Sequence, residues 1–515
     1  MTTTARDALV RVTSAAESAT LDAAAIAAGT PGRELMRRAG VAAAKRVALH
    51  LGALGRSGVA VYAGSGNNGG DAWVVARELA RRGYTVRVCA AGTPNGADAI
   101  AARDEARRDV RGDLPHGDET VVVDGLLGTG SRGVPRGEVA KAIAEINAAR
   151  SRGARVVALD VPSGVDANSG NADGAVSADL TLVFGSMKRG LLVARECGGA
   201  IEVLDIGVYA PRAAALPRLV DGRYVRAQVR PLTADAHKGI RKKVAIIGGS
   251  RAMAGAVILA GRAAFRTGVG MIRTAVARES IAPVQAALPE ASAFDLPADD
   301  AAAKVIRDWA DVLVIGPGLG GRAREIVERM LAGNSIPVVL DADALSAFEG
   351  EAPALGTLLA RRPAILTPHP AELGRLAGSS ASEVLVRRFE VGGEVARVTG
   401  AVVLSKGTPT VCTAPDGSRL VSAAGNAALA VGGSGDLLSG IVGTLLAQVG
   451  DPHVAAACAA WAHGRAAELA RGTRRSVRGI TLEDVLRSLS DVWEQWPDPL
   501  DAEVLASLPA AGDLP

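Results

Sequence analysis

A glycine-rich loop late in the chain ends in an acidic residue and opens an apolar helix. It reads GGSGD at 432–436, and a hydrophobic stretch follows it. Glycines let successive backbone amides turn toward one point, and the start of a helix adds a favourable potential for an anion. A carboxylate in the first turn, beside a phosphate, can accept a proton from an attacking hydroxyl. The loop predicts a phosphate site with Asp436 as general base; a flexible turn capped by Asp436 is the alternative.

Four other polar segments follow predicted strands in the same half of the chain. They read GPGLG at 316–320, DAD at 341–343, TPHPAE at 367–372 and KGTPT at 406–410. Because open α/β sheets bind ligands at the carboxyl ends of their strands, we expect these segments to converge on the glycine loop. Each alone also fits a structural turn or a solvated acid pair. Their combination favours a functional site in which the lysine, hydroxyls and glycine of 406–410 hold a nucleotide.

The first half of the chain has its own polar strand ends. They read AGSGNNGGD at 63–71, DGLLGTG at 124–130 and LDVPSGVD at 159–166. The first segment lacks the GxGxxG spacing, and no ribose-binding acid follows at the usual distance, which disfavours an ordinary dehydrogenase. Three oxygen donors in these segments suit an alkali or alkaline-earth cation rather than zinc, namely Asn68, Asp124 and Ser163.

Short β-branched runs alternate with Ala- and Arg-rich helical stretches in both halves, which is typical of βαβ units around a parallel sheet. The strands predicted in the first half are Val59–Ala63, Thr85–Ala90, Thr120–Asp124, Arg155–Asp160, Leu180–Phe184 and Ile201–Ile206. Those predicted in the second half are Val244–Gly248, Met271–Val276, Val312–Ile315, Val338–Asp341, Ala364–Leu366 and Ala401–Leu404, followed by a hairpin at Thr410–Thr413 and Arg419–Val421. The pattern predicts two α/β domains.

Composition sets the boundaries and excludes some classes of function. A proline-rich break without periodicity predicts a linker at 216–235 between domains at 1–215 and 236–500, and a Pro/Asp/Ala-rich end predicts a frayed tail at 501–515.

The net charge of +4 is small and the charges are mixed, so nucleic acid is not the expected partner. Four scattered cysteines and the lack of a long apolar run predict a cytoplasmic protein without a membrane segment. Fused α/β proteins commonly form homo-oligomers, so we expect this chain to form one as well.

The second half resembles the ADP-dependent NAD(P)H-hydrate dehydratases, which have a ribokinase-like α/β fold. The resemblance rests on HKG at 237–239, GGS at 248–250, the strand-end segments above and GN at 425–426 before GGSGD. It implies that ADP phosphorylates the C6 hydroxyl of (S)-NADHX or (S)-NADPHX, and that loss of phosphate then yields NAD(P)H. The implied base is Asp436. The implied contacts with hydrate, nucleotide and phosphate are Ala256, Gly318, His369, Lys406, Gly407, Thr408, Pro409, Thr410, Gly433, Ser434 and Gly435, with Mg²⁺ near Asp341, Asp343 or Glu372.

The first half resembles the NAD(P)H-hydrate epimerases, which have a Rossmann-like three-layer α/β/α fold, through the segments above and LMRRAG at 35–40. The resemblance implies interconversion of the R and S hydrates, with K⁺ bound by Asn68, Asp124 and Ser163. Asp160 is the implied acid/base, and Lys188 is a second candidate. The implied hydrate contacts are Asn67, Asn68, Gly69, Gly70, Asp71, Gly128, Thr129, Gly130, Ser131, Arg132, Gly133, Val134 and Asp160. Two positions depart from the family's usual glycine, Ala72 and Ala371.

Two alternatives remain at this stage. The first half could be a binding module without chemistry, although its retained polar residues argue against that. The second half could be a small-molecule kinase of the vitamin or sugar type, because such kinases share the ribokinase-like fold and a glycine loop ending in Asp. The TPHP-x-E and HKG segments favour the dehydratase.

Overall fold

The computed structural model describes residues 9–54, 58–112, 114–209, 215–360, 362–474, 476–494, 501 and 503–511. The chain forms two compact units. Unit 1 contains the described residues up to 216 together with those of 498–514, and unit 2 contains the described residues of 217–497. No helix in the described ranges is long and apolar enough to cross a membrane.

The first eight strands and seven helices belong to unit 1. The strands are β1 Val12–Thr13, β2 Gly58–Ala63, β3 Thr85–Ala90, β4 Val121–Gly125, β5 Arg155–Leu159, β6 Leu180–Phe184, β7 Met187–Lys188 and β8 Ala200–Leu204. The helices are α1 Ala15–Ala27, α2 Gly32–Leu54, α3 Asn67–Arg81, α4 Ala97–Asp109, α5 Gly137–Ser151, α6 Arg189–Val193 and α7 Arg195–Gly198. All six strands predicted in the first half are present, most with ends shifted by one or two residues.

Unit 2 contains the next ten strands and thirteen helices. The strands are β9 Arg218–Leu219, β10 Lys243–Ile247, β11 Met271–Val276, β12 Ser292–Asp295, β13 Val312–Ile315, β14 Val338–Leu340, β15 Ala364–Leu366, β16 Val402–Ser405, β17 Thr410–Thr413 and β18 Arg419–Ser422. The helices are α8 Gly222–Gln228, α9 Ala254–Thr267, α10 Arg278–Ala287, α11 Asp300–Arg307, α12 Ala323–Leu331, α13 Asp343–Ser346, α14 Ala352–Leu359, α15 Pro370–Ala377, α16 Ala381–Val386, α17 Val391–Thr399, α18 Ser434–Val449, α19 Pro452–Arg471 and α20 Leu482–Asp491. Short 3₁₀ turns cover Gly320–Arg322 and Ala427–Leu429.

The end of the chain forms a strand rather than a frayed tail, so that prediction is wrong for residues 504–508. This strand, β19 (Val504–Leu508), pairs antiparallel with β8 in unit 1. Val504, Ala506 and Leu508 are buried, and this alternation is the pattern of a strand with one covered face. The burial of these side chains and the backbone pairing hold the segment in place.

Unit 1 is a three-layer α/β/α domain, as predicted. Its main sheet has seven strands in the order β19-β8-β6-β5-β4-β2-β3, and every pair except β19 with β8 is parallel. Alternate residues of β2 face opposite sides: Val59 and Val61 pack with the core under α2, α3 and α4, whereas Tyr62 packs with α5. Strands covered on both faces need continuous apolar runs, which explains why the sequence pattern located them.

Unit 2 is built on a ten-stranded sheet in the order β12-β11-β10-β13-β14-β15-β16-β17-β18-β9. Seven neighbouring strands from β12 to β16 run parallel, and the hairpin of β17 and β18 is antiparallel as predicted. The predicted linker at 216–235 is wrong in part, because it contains β9, which pairs with β18, and α8. Leu219, Val220 and Val225 of this segment are buried, so its apolar side chains belong to the core of unit 2.

Candidate active sites

The glycine loop of unit 2 is held at one position by close packing of α18. Gly433, at the start of the helix, has φ 92°, and a side chain there would clash with Leu259 and Leu482 at 2.7 and 2.9 Å. Further along, Gly440 lets the helix approach the backbone of α9, since an added Cβ would lie 2.0 Å from Ala260 O. Glycine at these positions therefore serves both the turn and the packing, and it fixes where the amides of 433–436 lie.

A buried lysine joins three of the predicted strand ends. Lys406 Nζ lies 2.9 Å from Asp341 Oδ1 and 3.9 Å from Glu372 Oε2. Burial alone would lower the pKa of Lys406, but the two carboxylates outweigh it and the pKa is raised. A Cβ placed on Gly435 would lie 3.3 Å from Lys406 Nζ. The ammonium group is thus charged and adjacent to the glycine loop, where it can neutralise phosphate.

Asp436 has the environment of a general base. Burial raises the pKa of its carboxyl to about 6, and the charge of Asp341 adds to this while that of Lys406 opposes it. A carboxyl with such a pKa is about nine-tenths ionised at pH 7, and it is more basic than an ordinary aspartate. It can therefore accept a proton from a hydroxyl group at neutral pH.

His369 lies at the start of α15, opposite the lysine loop. Its Nδ1 accepts hydrogen bonds from Ala371 N at 3.1 Å and Glu372 N at 3.3 Å, and Glu372 accepts from His369 N at 2.8 Å. Nδ1 is an acceptor here, so a neutral ring carries its proton on Nε2, and the imidazole is about half exposed at 47%. Because Ala371 is helical, its methyl group is accommodated in the first turn of α15.

The remaining predicted residues of unit 2 border the same region. Gly318 has φ +58°, and a Cβ there would lie 3.2 Å from Ala256 Cβ, so these two hydrate-contact candidates are neighbours. Lys406 N donates to Pro368 O at 2.9 Å, which ties the 406–410 loop to the His369 loop. Gly320 N donates to Asp343 at 2.8 Å. The structure therefore brings the four segments together as predicted.

Two residues of unit 2 that the sequence analysis did not single out support this site. His463 on α19 is buried, and its Nε2 lies 3.4 Å from Ser434 Oγ; burial and the charge of Lys406 lower its pKa to about 4. Arg388 donates to Thr408 O at 2.6 Å and so fixes the 406–410 loop. Gly464, next to His463, is a sequence signal for this packing: an added Cβ would lie 2.2 Å from Ala424 O, so glycine lets α19 approach the segment before the glycine loop.

The three predicted cation ligands of unit 1 lie in one buried cluster. Asp124 is fully buried and accepts from Ser163 Oγ at 2.6 Å and from Ser163 N at 2.8 Å. Asn68 Nδ2 donates to Leu127 O at 2.7 Å and to Leu159 O at 3.1 Å. Asn68 Oδ1 is buried and has no hydrogen-bond partner among the described residues. Burial raises the pKa of Asp124 to about 6, although its hydrogen bonds with Ser163 oppose this.

An ion pair of Lys188 with Asp160 lies beside this cluster. Lys188 is 2% exposed and Asp160 14% exposed at the side chain. The ammonium also donates to Phe184 O at 3.1 Å, and Phe184 N donates to Asp160 at 3.2 Å. Asp160 has φ 63°, a left-handed conformation that is uncommon for residues other than glycine and is frequently found at functional sites.

A second carboxylate, that of Asp71 on α3, faces the same region of unit 1 as Asp160. Burial raises the pKa of Asp71 well above its usual range, and the charges of Asp160 and Asp22 raise it further. Asp22, on α1, was not among the predicted site residues. Its place here depends on packing of α1 in the folded unit, which no local pattern indicates.

The loop at 128–134 lies against the cation cluster. A Cβ on Gly128 would lie 3.2 Å from Asn68 Cβ, and the loop closes with a turn from Ser131 N to Gly128 O. Ala72, in contrast, is fully buried, and a Cβ on Gly125 would lie 2.5 Å from its methyl group. The methyl of Ala72 therefore packs on β4, where Gly125 leaves room for it.

Known proteins similar to this chain divide it in the same way. The sequence profile described as NAD(P)H-hydrate dehydratase matches residues 244–490, and the profile described as YjeF-related protein N-terminus matches residues 32–190. A solved structure, an ADP/ATP-dependent NAD(P)H-hydrate dehydratase from Bacillus subtilis co-crystallized with ATP and Mg²⁺, is 30% identical, with a TM-score of 0.46 over 53% of this chain and 96% of that one.

Full-length relatives show both parts together. The bifunctional NAD(P)H-hydrate repair enzyme Nnr of Moorella thermoacetica is 34% identical over 502 residues, which are 90% of this chain and 93% of the relative. The enzyme of the same description from Escherichia coli is 36% identical over 457 residues, 84% of each chain. The chain belongs to the family of bifunctional NAD(P)H-hydrate repair enzymes, with an N-terminal epimerase domain and a C-terminal dehydratase domain.

Proposed function

We propose that unit 2 dehydrates the S forms of NADHX and NADPHX with ADP as phosphoryl donor, and that unit 1 interconverts the R and S forms. The observation that carries the dehydratase proposal is the position of Asp436. Its carboxyl has a pKa of about 6 and lies in the first turn of α18, beside the charged Lys406. This combines a base for a hydroxyl with a cation and amides for a phosphate.

In the proposed first step, Asp436 takes the proton of the C6 hydroxyl as that oxygen attacks the β-phosphate of ADP. The bond between the β-phosphorus and the bridging oxygen breaks, and AMP leaves. The amides of Gly433–Asp436 and the ammonium of Lys406 stabilise the negative charge of the phosphate, and each such donor is worth about 3 kcal/mol of barrier. The ring nitrogen then expels phosphate from C6, and loss of a C5 proton gives NAD(P)H.

The hydrate and the nucleotide occupy different sides of the glycine loop in this proposal. Ala256, Gly318 and His369 would contact the hydrate. The loop 406–410 would hold the nucleotide together with Gly435. His463 would position Ser434 by a hydrogen bond, since its low pKa keeps the ring neutral beside Lys406.

Mg²⁺ would supply further charge neutralisation at the phosphates. In the described ranges, no three His, Cys, Asp or Glu side chains group as a metal site by themselves. Asp341 and Asp343 each engage one oxygen, with Lys406 and Gly320 N respectively. Their other oxygens remain for a hydrated ion held mainly by phosphate, and this donor set fits Mg²⁺, which keeps several of its waters.

The pH dependence of dehydration follows from the base. Asp436 must be ionised to accept a proton, and its pKa in the folded chain is about 6. We expect kcat/KM for dehydration to be level above pH 7 and to fall as pH drops through about 6, by about tenfold per unit below it. Initial rates of NADH formation between pH 5 and 8 measure this. A profile level down to pH 5, with activity fully recovered on return to pH 7.5, would contradict the assignment.

In unit 1 we place the proton transfers at C6 on Asp160 and Lys188. The ring nitrogen of the hydrate can expel the C6 hydroxyl as water if an acid protonates it, and water can return on the other face if a base removes a proton. Lys188 and Asp160 form a pair that holds one transferable proton in a buried position. Asp71, whose pKa burial raises well above its usual range, adds a second carboxyl that takes up a proton more readily than an ordinary aspartate.

The cluster of Asn68, Asp124 and Ser163 fits K⁺. It offers a carboxylate, a hydroxyl and the unpartnered Asn68 Oδ1, all hard oxygen donors. A bound cation would offset the cost of burying the charge of Asp124, and it would hold Asn68 and Ser163 below the hydrate loops 67–71 and 128–134. Its contribution would be electrostatic and structural.

Binding of K⁺ is testable by stability. At equal ionic strength we expect KCl to raise the Tm of unit 1 relative to tetramethylammonium chloride, because a ligand that binds only the folded state stabilises it. Each 1 kcal/mol corresponds to about 2–4 °C for a unit of this size. Asp124→Asn should abolish the difference between the salts, whereas Asp173→Asn, at an exposed loop position, should keep it. Equal Tm values of the wild type in both salts would refute the site.

The two alternatives from the sequence are decided by substrate tests. If unit 2 were a vitamin or sugar kinase, ADP or ATP would phosphorylate such compounds and NADHX would give no turnover. If unit 1 only bound a ligand, pure (R)-NADHX would not be converted to the S form. We expect instead that unit 2 turns over NADHX with ADP and that unit 1 converts (R)-NADHX to the S form.

A further inference from the structure

Unit 2 contains a large cavity near the amino ends of its parallel strands, away from the dehydratase site. Its volume is about 980 Å³. Its lining includes Arg241 and Gly268, which precede β10 and β11, and Gln448 at the end of α18. The dehydratase loops instead follow the carboxyl ends of these parallel strands. The cavity is therefore separate from the site described above.

The cavity has a positively charged wall. Five arginines line it against two glutamates, namely Arg226, Arg230, Arg241, Arg262 and Arg266 against Glu290 and Glu494. Arg262 pairs with Glu483 at 2.9 Å, and Arg266 donates to Ser490 Oγ at 3.1 Å. Arg230 is exposed and makes no hydrogen bond or ion pair with any described residue. The lining thus has more cationic than anionic side chains, and the guanidinium of Arg230 favours an anionic ligand.

Backbone carbonyls that would repel an anion are already covered. Gly268 O, at the end of α9, accepts from Arg241 Nε at 3.0 Å and from Gln448 Nε2 at 3.1 Å. Arg266 O accepts from Trp493 Nε1 at 3.0 Å. The negative end of α9 is therefore compensated within the protein, so it does not cancel the charge of the arginine side chains.

An apolar side completes the cavity. It is formed by side chains that could contact a flat ring, namely Phe265, Leu288, Pro289 and Trp493. The hydrogen bond from its indole nitrogen fixes the ring of Trp493. We propose that this cavity binds a phosphate-bearing anion, with the phosphates on the arginines and, where the ligand is a nucleotide, its ring on the apolar side.

Calorimetric titration of the full chain tests this proposal through binding rather than activity. The wild type should bind two equivalents of ADP, one at the dehydratase site and one at the cavity. Arg230→Glu should keep the first and weaken the second at least tenfold, which is about 1.4 kcal/mol. Ala287→Trp should do the same, because Ala287 lines the cavity at an exposed position and a bulky side chain would fill it. Arg397→Glu, at an exposed arginine of α17 outside the cavity, should keep both.

Inorganic pyrophosphate distinguishes the source of the phosphate. If pyrophosphate displaces the ADP bound at the cavity and has the same affinity as ADP, the arginines supply the binding. If ADP binds the cavity more tightly than pyrophosphate, the apolar side adds to the affinity. Both results support the proposal. One equivalent of ADP in the wild type, or two equivalents that persist in both cavity variants, would overturn it.

Discussion

Asp436→Asn is expected to reduce ADP-dependent dehydration of (S)-NADHX by about 10²–10⁴-fold while leaving the fold intact. The amide keeps the size and the hydrogen-bonding geometry of the carboxylate but cannot accept the hydroxyl proton, and loss of a positioned base has effects of this size. Burial raises the pKa of this carboxyl to about 6, so it is a stronger base than an ordinary aspartate. The rate of NADH formation at saturating ADP measures the effect, and the loss should be in kcat.

The fused chain supplies the internal control for this variant. Epimerisation by unit 1 should be unchanged in Asp436→Asn, which shows that unit 1 is intact, and an unchanged thermal unfolding of unit 2 shows that the substituted unit is folded. Asp416→Asn is a matched surface control in unit 2, because Asp416 is exposed and its carboxylate accepts hydrogen bonds from Ser418 within its own turn, with Ser418 N at 2.8 Å. Dehydration at a near-wild-type rate in Asp436→Asn would remove this residue from the mechanism.

Asp160→Asn is expected to reduce epimerisation by a similar factor, about 10²–10⁴-fold. The substitution keeps the backbone, since Asn tolerates the left-handed conformation that Asp160 adopts at φ 63°. It removes the charge that accepts the proton and leaves Lys188 buried without its carboxylate. Such a loss costs stability of about 3–5 kcal/mol, so thermal unfolding must be recorded beside the rate.

A substitution of Lys188 tests whether the loss of epimerisation comes from the lost proton transfer or from lost stability. Lys188→Met removes the buried ammonium but fills its volume, and it should also stop epimerisation if the ion pair transfers the proton. Lys141→Met is its matched control in unit 1, because Lys141 is 71% exposed at the side chain. Dehydration of the S hydrate by unit 2 should persist in all these variants. If Lys188→Met epimerises at the wild-type rate, the ammonium is only a structural partner of Asp160.

Local pattern predicted much of the fold because most strands are covered on both faces. The apolar runs at 59–63 and 312–315, for example, are the strands β2 and β13. The glycine loop before α18 was also predictable, since only glycine fits its conformation and its close packing at Gly433. These features depend on neighbours within a few residues.

Features that depend on distant parts of the chain were not predictable in this way. The strand β19 is short, and its partner β8 lies far earlier in the sequence. The bond of Lys406 with Asp341 joins residues 65 positions apart, so the sequence marked both residues as polar strand ends but did not pair them. His463 lies in an Ala-rich helix, where its contact with Ser434 becomes visible only after α19 packs on the loop.

The most direct measurement of the central claim is NADH formation from an equal mixture of (R)- and (S)-NADHX with ADP. The wild-type chain should convert all of the hydrate to NADH. Asp160→Asn should convert the S half at the wild-type initial rate and then stop, and Asp436→Asn should form almost no NADH while still exchanging the two forms. Complete conversion by Asp160→Asn at the wild-type rate, or rapid NADH formation by Asp436→Asn, would contradict the division of labour between the two units.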